Sequence, residues 1–527
     1  MKNNIVVILI GLVLFSCSKP REKADKVQLI PFPNEIALGE YNIDLSEGVA
    51  ISGEIGNKAF LKDLLSEKNI SSGKRVKIEF QTDKSITDKE AYELIAKDRR
   101  ITIKSSAKSG EFYALMTLRQ LIKGGAIPEV HIKDRPAFKW RAFMLDESRH
   151  FQGKEVVIKL LNEMAALKMN VFHWHLTDDQ GWRIEIKKYP LLTQVGSRRD
   201  STQVNDGRGS RSKTYDGKSH GGFYTQTEIK EIVEYAAKLN IQVVPEIGMP
   251  GHFSAAIASY PYLGTQKKKI KVPCKFGVGT DVLDPSSDKT IQFLHDVLDE
   301  VNALFPSQVI HIGGDEVRYD HWKKSSAVKA YKKKYQLPTF SDVQVKFTND
   351  ISKYIESKFG KRAMGWNEIL GERTHSWAKG DKSAKTELSK NAIIHFWHGS
   401  ASDFQKAISR GYNVVNSTSK YTYLDYSYRK INLEKAYRFQ VVPKELSAEE
   451  AQQILGLGCQ MWTEWTPKTE NVYHRVFPRI AAYAENGWTS EGNKDYTRFK
   501  EALQVKLKEW QKLGIKYGPL DAVKKVK

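Results

Sequence analysis

The sequence predicts a (β/α)8 barrel over residues 138–490, preceded by a small α+β domain over residues 27–137. Three observations carry this. First, eight short apolar runs rich in β-branched residues recur after Phe138: Ala142–Leu145, Val171–Leu176, Gln242–Glu246, Val309–Ile312, Arg362–Trp366, Ile393–Trp397, Asn413–Asn416 and Gly458–Trp462. Second, segments with helical apolar spacing, such as Glu155–Lys168 and Glu228–Lys238, lie between them, which is the rhythm of a parallel barrel. Third, the C-terminal ends of the runs carry acids and indoles, where a barrel gathers its chemistry at one mouth. An open doubly wound sheet is the alternative, weakened because no Gly-rich fingerprint follows the first run.

In chain order, residues 1–16 read as a secretory signal: Lys2, then an uncharged apolar run from Ile5 to Phe15. Ser16 followed by Cys17 resembles the lipobox of bacterial lipoproteins, which implies cleavage before Cys17, lipidation on it and anchoring to a bacterial membrane, periplasmic or surface-facing. An ordinary signal with an incidental cysteine is the plainer reading. Residues 17–26, charged and containing Pro20, read as a tether. The remaining cysteines, Cys274 and Cys459, are too few for a disulfide scaffold, and a chain of this length buries a core without one.

The chain carries 83 basic and 62 acidic residues, a net charge of +21. No Cys/His finger spacing or basic helix accompanies it, so no nucleic-acid partner is expected. An Arg-rich stretch within Gly196–Gly222 (Arg198, Arg199, Arg208, Arg211) points to anionic glycans, whereas solvated lysine faces explain the rest.

Residues 27–137 alternate strand-like runs (Val76–Phe80, Arg100–Ile103) with a helix over Gly110–Ile122, whose Phe112, Leu115, Leu118 and Ile122 share one face. Asp134-Arg135-Pro136 ends the domain. Residues 491–527 form a C-terminal helical extension with Phe499, Leu503, Leu507 and Trp510 at helical spacing.

The chemistry centres on Val309–Val317, where an apolar run stops at Gly313 and Gly314 and is followed at once by Asp315 and Glu316. Neighbouring carboxylates in a semi-enclosed site raise the cost of ionising each other, so one can serve as a general acid. Adjacent on one backbone, they do not flank a sugar carbon at the ~5–9 Å separation of the usual glycosidase pair. A nucleophile must then come from elsewhere. The remaining strand ends supply Asp146, Arg149, His173, His175, Asp178, Asp179, Glu246, His252, Trp366, Glu368, Trp397, His398, Tyr423, Asp425, Trp462 and Glu464. Indole faces with acids and a forked arginine suit a pyranose. His173 and His175, two apart with Asp178 near, have acceptable zinc spacing, but interior packing and hydrogen bonding are the preferred reading, so no metal and no cofactor are expected.

Taken in order, Leu145-Asp146-Glu147-Ser148-Arg149-His150-Phe151, His173 to Arg183, Pro245 to His252, His311 to Glu316, Gly365-Trp366, Tyr423-Leu424-Asp425 and Gln460 to Glu464 closely resemble glycoside hydrolase family 20, the exo-acting β-N-acetylhexosaminidases. The resemblance implies that the substrate's own 2-acetamido oxygen attacks the anomeric carbon, with an oxazolinium intermediate and net retention. By motif position it implies Glu316 as general acid and base, Asp315 as the group orienting the acetamido, Tyr423 as donor to its oxygen, and Asp178 with His252 as a polar chain behind Glu316. Arg149 and Glu464 would grip the ring hydroxyls, Asp425 would bind the hydroxymethyl side, and Trp366, Trp397 and Trp462 would wall the pocket. The implied partner is a glycan ending in β-linked N-acetylhexosamine. Two departures stand out: Gly248 where the family usually has Asp, and Phe253 where a small hydroxyl residue usually follows the histidine. A glycan-capturing lipoprotein without catalysis and a glycosidase with its own carboxylate nucleophile are the rival functions.

Overall fold

The computed structural model describes residues 22–23, 26–207, 209–378 and 380–521. The signal-like segment, Cys17 and Arg208 lie outside the described residues.

Two sheets organise the chain. The first has six strands, β1 (Glu35–Asp44), β2 (Val49–Gly53), β3 (Val76–Thr82), β4 (Tyr92–Lys97), β5 (Arg100–Ser105) and β6 (Ala126–Asp134), in the order β1-β6-β4-β5-β3-β2. Alternation of buried Val76, Ile78 and Phe80 with partly exposed neighbours explains why β3 is a strand with one core face. Helices α1 (Lys58–Glu67) and α2 (Lys108–Leu121) belong to this domain. Helix α2 is buried almost all round, including Phe112, Tyr113, Leu115, Met116 and Leu118, because it also meets the second domain. There Tyr113 packs edge-on against Trp488 at 4.9 Å, and Arg141 reaches back to Glu90 at 2.9 Å. Lys168 and Trp488 both contact Asp134 Oδ2, at 3.0 and 2.9 Å. This buried polar join fixes the two domains against each other.

The second sheet closes on itself. Strands β7 (Trp140–Asp146), β8 (Val171–Asp178), β9 (Gln242–Ile247), β10 (Val309–His311), β11 (Arg362–Trp366), β12 (Ile393–Phe396), β13 (Asn413–Asn416) and β14 (Ile454–Met461) pair in parallel in sequence order, and β14 returns to β7. Each overlaps a run expected from sequence, and the closed ring excludes the open-sheet alternative. The outer helices are α3 (Lys154–Ala166), α4 (Gln226–Lys238), α5 (Asp288–Leu304), α6 (Phe340–Phe359), α7 (Ala401–Ser409) and α8 (Arg479–Trp488). Their starts follow local chemistry: Thr225 with Glu228, and Thr339 with Asp342, form capping boxes, and Gly360 in the left-handed region ends α6. Helix α9 (Tyr496–Lys512) buries Phe499, Leu503, Leu507 and Trp510, and the Trp510 indole donates to Glu163 on α3 at 2.7 Å.

The barrel interior is graded. At the N-terminal end Trp140, Ala142, Val171, Val244, Val309, Met364, Ile393 and Val415 form an apolar plug. Toward the C-terminal ends the register aligns Asp146 with His175, His175 with Glu246, and Glu246 with His311. Polar side chains on adjacent strands therefore share a layer beneath the mouth. Among the described residues no helix is long and apolar enough to cross a membrane.

Candidate active site

The turn after β10 needs its glycines. Gly313 and Gly314 have φ of +66° and +91°, and a Cβ on them would meet Gly248 Cα at 2.8 Å and Ile369 Cγ2 at 2.3 Å. Glu316 (φ +50°) and His252 (φ +51°) are also left-handed without being glycines. That conformation costs on the order of 1–3 kcal/mol for a non-glycine residue and persists only where the surroundings fix it. The two residues face each other: His252 Nε2 lies 3.4 Å from Glu316 Oε2 and 3.6 Å from Asp315 Oδ2.

Behind His252 runs an alternation of acids and bases. His252 Nδ1 meets Asp178 Oδ1 at 3.1 Å and Asp179 Oδ2 at 3.2 Å. Asp178 Oδ2 takes Arg149 Nη2 at 2.6 Å and His175 Nε2 at 3.0 Å. His175 Nδ1 is 2.7 Å from Glu246 Oε2, and Glu246 Oε1 accepts the Trp366 indole at 2.8 Å. Burial alone would raise both carboxyls. The Arg149 and His252 charges overcome it and hold Asp178 well below the carboxylate range, and the histidines around Glu246 do the same there. Burial disfavours charge on His175, but Glu246 and Asp178 outweigh it and lift the imidazole to about 10.

The pocket walls are aromatic. Tyr423 stacks on Trp397 at 5.8 Å and 9°, and lies 5.9 Å from Trp462, which sits 5.8 Å from Trp366. The Arg149 guanidinium stands 5.0 Å over the Trp462 ring, with Glu464 Oε1 3.7 Å from its Nη1. Glu368 at the end of β11 holds the Trp397 indole at 3.0 Å and His375 at 2.7 Å. Contacts thus join Arg149, Asp178, His252, Asp315, Glu316, Trp366, Trp397, Tyr423, Trp462 and Glu464 at this one mouth.

The lining acids contrast with those behind. Burial pushes Asp425 up to about 8, helped by Glu464, and its Oδ1 has no hydrogen-bond partner among the described residues. Burial raises Glu464 as well, despite Arg149. Burial lifts Asp315 to about 7 against the pull of His252. At Glu316 the bond and charge of His252, with His375 and Arg149, outweigh burial and hold the carboxyl below its ordinary value. Burial thus favours the protonated form of Asp315, whereas His252 and its neighbours favour the ionised form of Glu316.

Of the two departures from the family motif, Phe253 has a local reason and Gly248 has none in the structure. A Cβ at Gly248 would have only Thr177 O within 4 Å, at 3.5 Å, so the position has room for a side chain it lacks. Phe253 is buried edge-on to Trp182, and the next residue, Ser254, supplies the hydroxyl, donating to Asp179 Oδ1 at 2.6 Å. Of the basic stretch, Arg199 is spent on structure: it is buried and donates to the carbonyls of Arg149 and Gln180. It is not a surface charge for anionic glycans.

His173, His311 and His395 bring ligand-type atoms within 4.8 Å of one another beneath the pocket. His311 Nε2 meets His395 Nδ1 at 3.2 Å and His395 Nε2 meets Ser417 Oγ at 2.7 Å, while His173 Nε2 lies 2.8 Å from Glu246 Oε2. His173 packs in this layer, stacked on His311 at 4.5 Å. Sequence reading placed Glu246 and Glu368 at strand ends but gave neither a task. It missed His375, which lies in a loop with no motif around it.

The sequence model described as "Glycosyl hydrolase family 20, catalytic domain" matches residues 138–491, and "Glycosyl hydrolase family 20, domain 2" matches residues 26–135. The chain is 33% identical to a beta-hexosaminidase of Vibrio furnissii, over 89% of this chain and 77% of that protein. The β-N-acetylhexosaminidase of Bacteroides fragilis superposes with a TM-score of 0.78 at 30% identity, covering 94% of this chain and 97% of the other. An exo β-N-acetylglucosaminidase of Vibrio harveyi, solved with N-acetylglucosamine, gives 0.78 at 29% identity, covering 95% and 81%. With the catalytic domain matched over the greater part of its length and the companion domain in front, the chain belongs to glycosyl hydrolase family 20.

Proposed function

We propose that this site removes terminal β-linked N-acetylhexosamine from glycans by exo action, with net retention, using the substrate's acetamido group as nucleophile. The observation that carries the reading is His252 set between Asp315 and Glu316, within 3.4–3.6 Å of a carboxylate oxygen on each, beside an indole-walled pocket. Only one of the two acids has to move a proton; the other has to hold an amide.

In this reading the acetamido oxygen attacks the anomeric carbon as Glu316 gives its proton to the leaving oxygen and the C1–O bond breaks. Positive charge then develops on the acetamido nitrogen beside Asp315, and Tyr423 donates to the acetamido oxygen. An intramolecular nucleophile held in place gains from proximity, and a fixed carboxylate stabilises the cation where it forms. Water opens the oxazolinium, with Glu316 taking its proton. Developing charge at the amide favours ionised Asp315, and His252 Nε2, within reach of both carboxyls, links Asp315 to Glu316. Arg149 and Glu464 bind ring hydroxyls, Asp425 binds the hydroxymethyl side, and Trp366, Trp397 and Trp462 enclose the sugar and its acetamido methyl. Asp425 Oδ1, without a partner among the described residues, is open to a donor from a sugar hydroxyl.

The test compares an aryl β-N-acetylglucosaminide with the matching plain glucoside. The reading expects a preference for the former of at least ~10³-fold in kcat/KM, since the plain sugar lacks the nucleophile. Equal turnover would support an enzyme nucleophile, and no turnover of either would support a glycan binder.

For the N-terminus we propose lipidation on Cys17 and tethering to a bacterial membrane by residues 17–26, supported by the apolar run and Ser16-Cys17. In a bacterial host, C17A should shift the protein from the membrane to the soluble fraction; retention in membranes would argue against the anchor.

A further inference from the structure

Glu316 is faced by a second histidine that the mechanism above leaves unused. His375 lies in the loop after the Asn367–Leu370 turn, and its Nδ1 is 4.0 Å from Glu316 Oε1, whereas His252 approaches the other oxygen, Oε2, at 3.4 Å. His375 is held firmly. Its Nε2 is 2.7 Å from Glu368 Oε1, its ring stacks face to face on His398 at 4.4 Å and 1°, and its side chain is only 9% exposed. The second oxygen of Glu368 accepts the Trp397 indole at 3.0 Å. One carboxylate at the end of β11 thus ties a pocket wall and an imidazole to the same frame.

The surroundings decide where the charge sits. Two stacked imidazoles repel if both are protonated, and Glu368 favours His375. Burial opposes charge on His375, but the bond to Glu368, its charge and that of Glu316 outweigh it; burial and the charge on His375 push His398 the other way. Glu316 is faced by His252 from beyond the end of β9, Asp315 from its own turn, Arg149 from beyond the end of β7, and His375. His375 is faced by Glu368, Asp315, Glu316 and His398.

We infer that His375, braced by Glu368, is a positioning residue that fixes the carboxyl of Glu316 from the side opposite His252 and stabilises the carboxylate left when its proton goes to the departing oxygen. This rests on Glu316 being the acid. The proton leaves Glu316 as the bond pair of C1–O passes to the leaving oxygen, and the carboxylate stands between two imidazoles until water returns a proton to it. The help matters most where the leaving oxygen is basic, because a weak acid then limits the step.

The experiment measures kcat/KM against pH for wild type, H375Q and E368Q, on an activated 2,4-dinitrophenyl N-acetylglucosaminide and on the unactivated phenyl glycoside. E368Q keeps an acceptor for Trp397 while removing the charge that favours the protonated form of His375. For both variants we expect a loss of roughly fivefold or more on the phenyl glycoside and less than about twofold on the dinitrophenyl one, and an alkaline limb moved to higher pH because a cation beside Glu316 is gone. Equal losses on both substrates with an unmoved limb would make His375 a packing residue and overturn the proposal, as would unchanged kinetics. If the wild type cleaves neither glycoside, it is the proposed function that fails, not this assignment.

Discussion

Two sets of buried acids lie within one barrel and behave in opposite ways. Behind the pocket, Asp178 and Glu246 are met by Arg149 and four histidines, and their carboxyls are held far below the ordinary range. Lining the pocket, Asp315 and Asp425 have too few partners and are lifted to about 7 and 8. In the proposed function the difference separates groups that serve the fold from groups that serve substrate: a satisfied acid stabilises the protein, and an unsatisfied one has capacity left for a ligand. Glu316 stands between the sets, held down by histidines yet partly open to the pocket.

The sharpest way to break this contrast is at Glu316. E316Q should lower kcat on an unactivated N-acetylglucosaminide by roughly 10²–10⁴-fold while leaving the melting temperature near that of wild type, read by steady-state kinetics and calorimetry. A full-rate E316Q would remove the acid from the account. D315N should follow, with a loss on the order of 10²–10³-fold, because charge stabilisation at the amide is removed.

D315N also carries a stability test with a definite sign. The folded carboxyl titrates near 7, above the ordinary 3.8, so an unfolded chain releases its proton first as pH rises. Wild type therefore loses stability between about pH 4 and 7, and D315N should be equal to it at pH 4 and more stable above pH 7. Asp425 has the same sign over a wider window, so D425N should gain stability at pH 9 while raising KM; a drop in melting temperature for either variant at high pH would contradict the contrast.

Behind the pocket the expectation reverses. E246Q leaves His173, His175 and the Trp366 indole without their shared carboxylate and should destabilise by about 3–5 kcal/mol near neutral pH, measured by denaturant unfolding. Because the folded carboxyl is depressed below 4.5, its contribution is present above that value and is lost only as pH falls through the lower folded value. The smallest effect is expected at the far end of the chain of contacts: S254A, which removes one bond to Asp179, should cost about 1 kcal/mol and less than about threefold in kcat.

The barrel was legible because its strands are continuous apolar runs whose period does not depend on distant partners, and each of the eight was found within a few residues. The mouth was legible where ordered motifs marked strand ends, as at Asp315, Glu316, Tyr423 and Trp462. What sequence did not give was charge state and reach. Nothing in the order of residues says that burial would raise the Asp315 carboxyl, that Arg199 would be consumed by carbonyls, or that His375 would reach Glu316 from a motif-free loop. Those depend on contacts between elements far apart in the chain.

The central claim, that a pair of neighbouring acids makes a substrate amide the nucleophile, is tested most directly with a thiazoline mimic of the oxazolinium. The account predicts that it inhibits wild type competitively and far more tightly than free N-acetylglucosamine, and that D315N weakens it by at least ~10²-fold, since the paired charge is lost. Inhibition no tighter than by the free sugar, or equal inhibition of wild type and D315N, would contradict it.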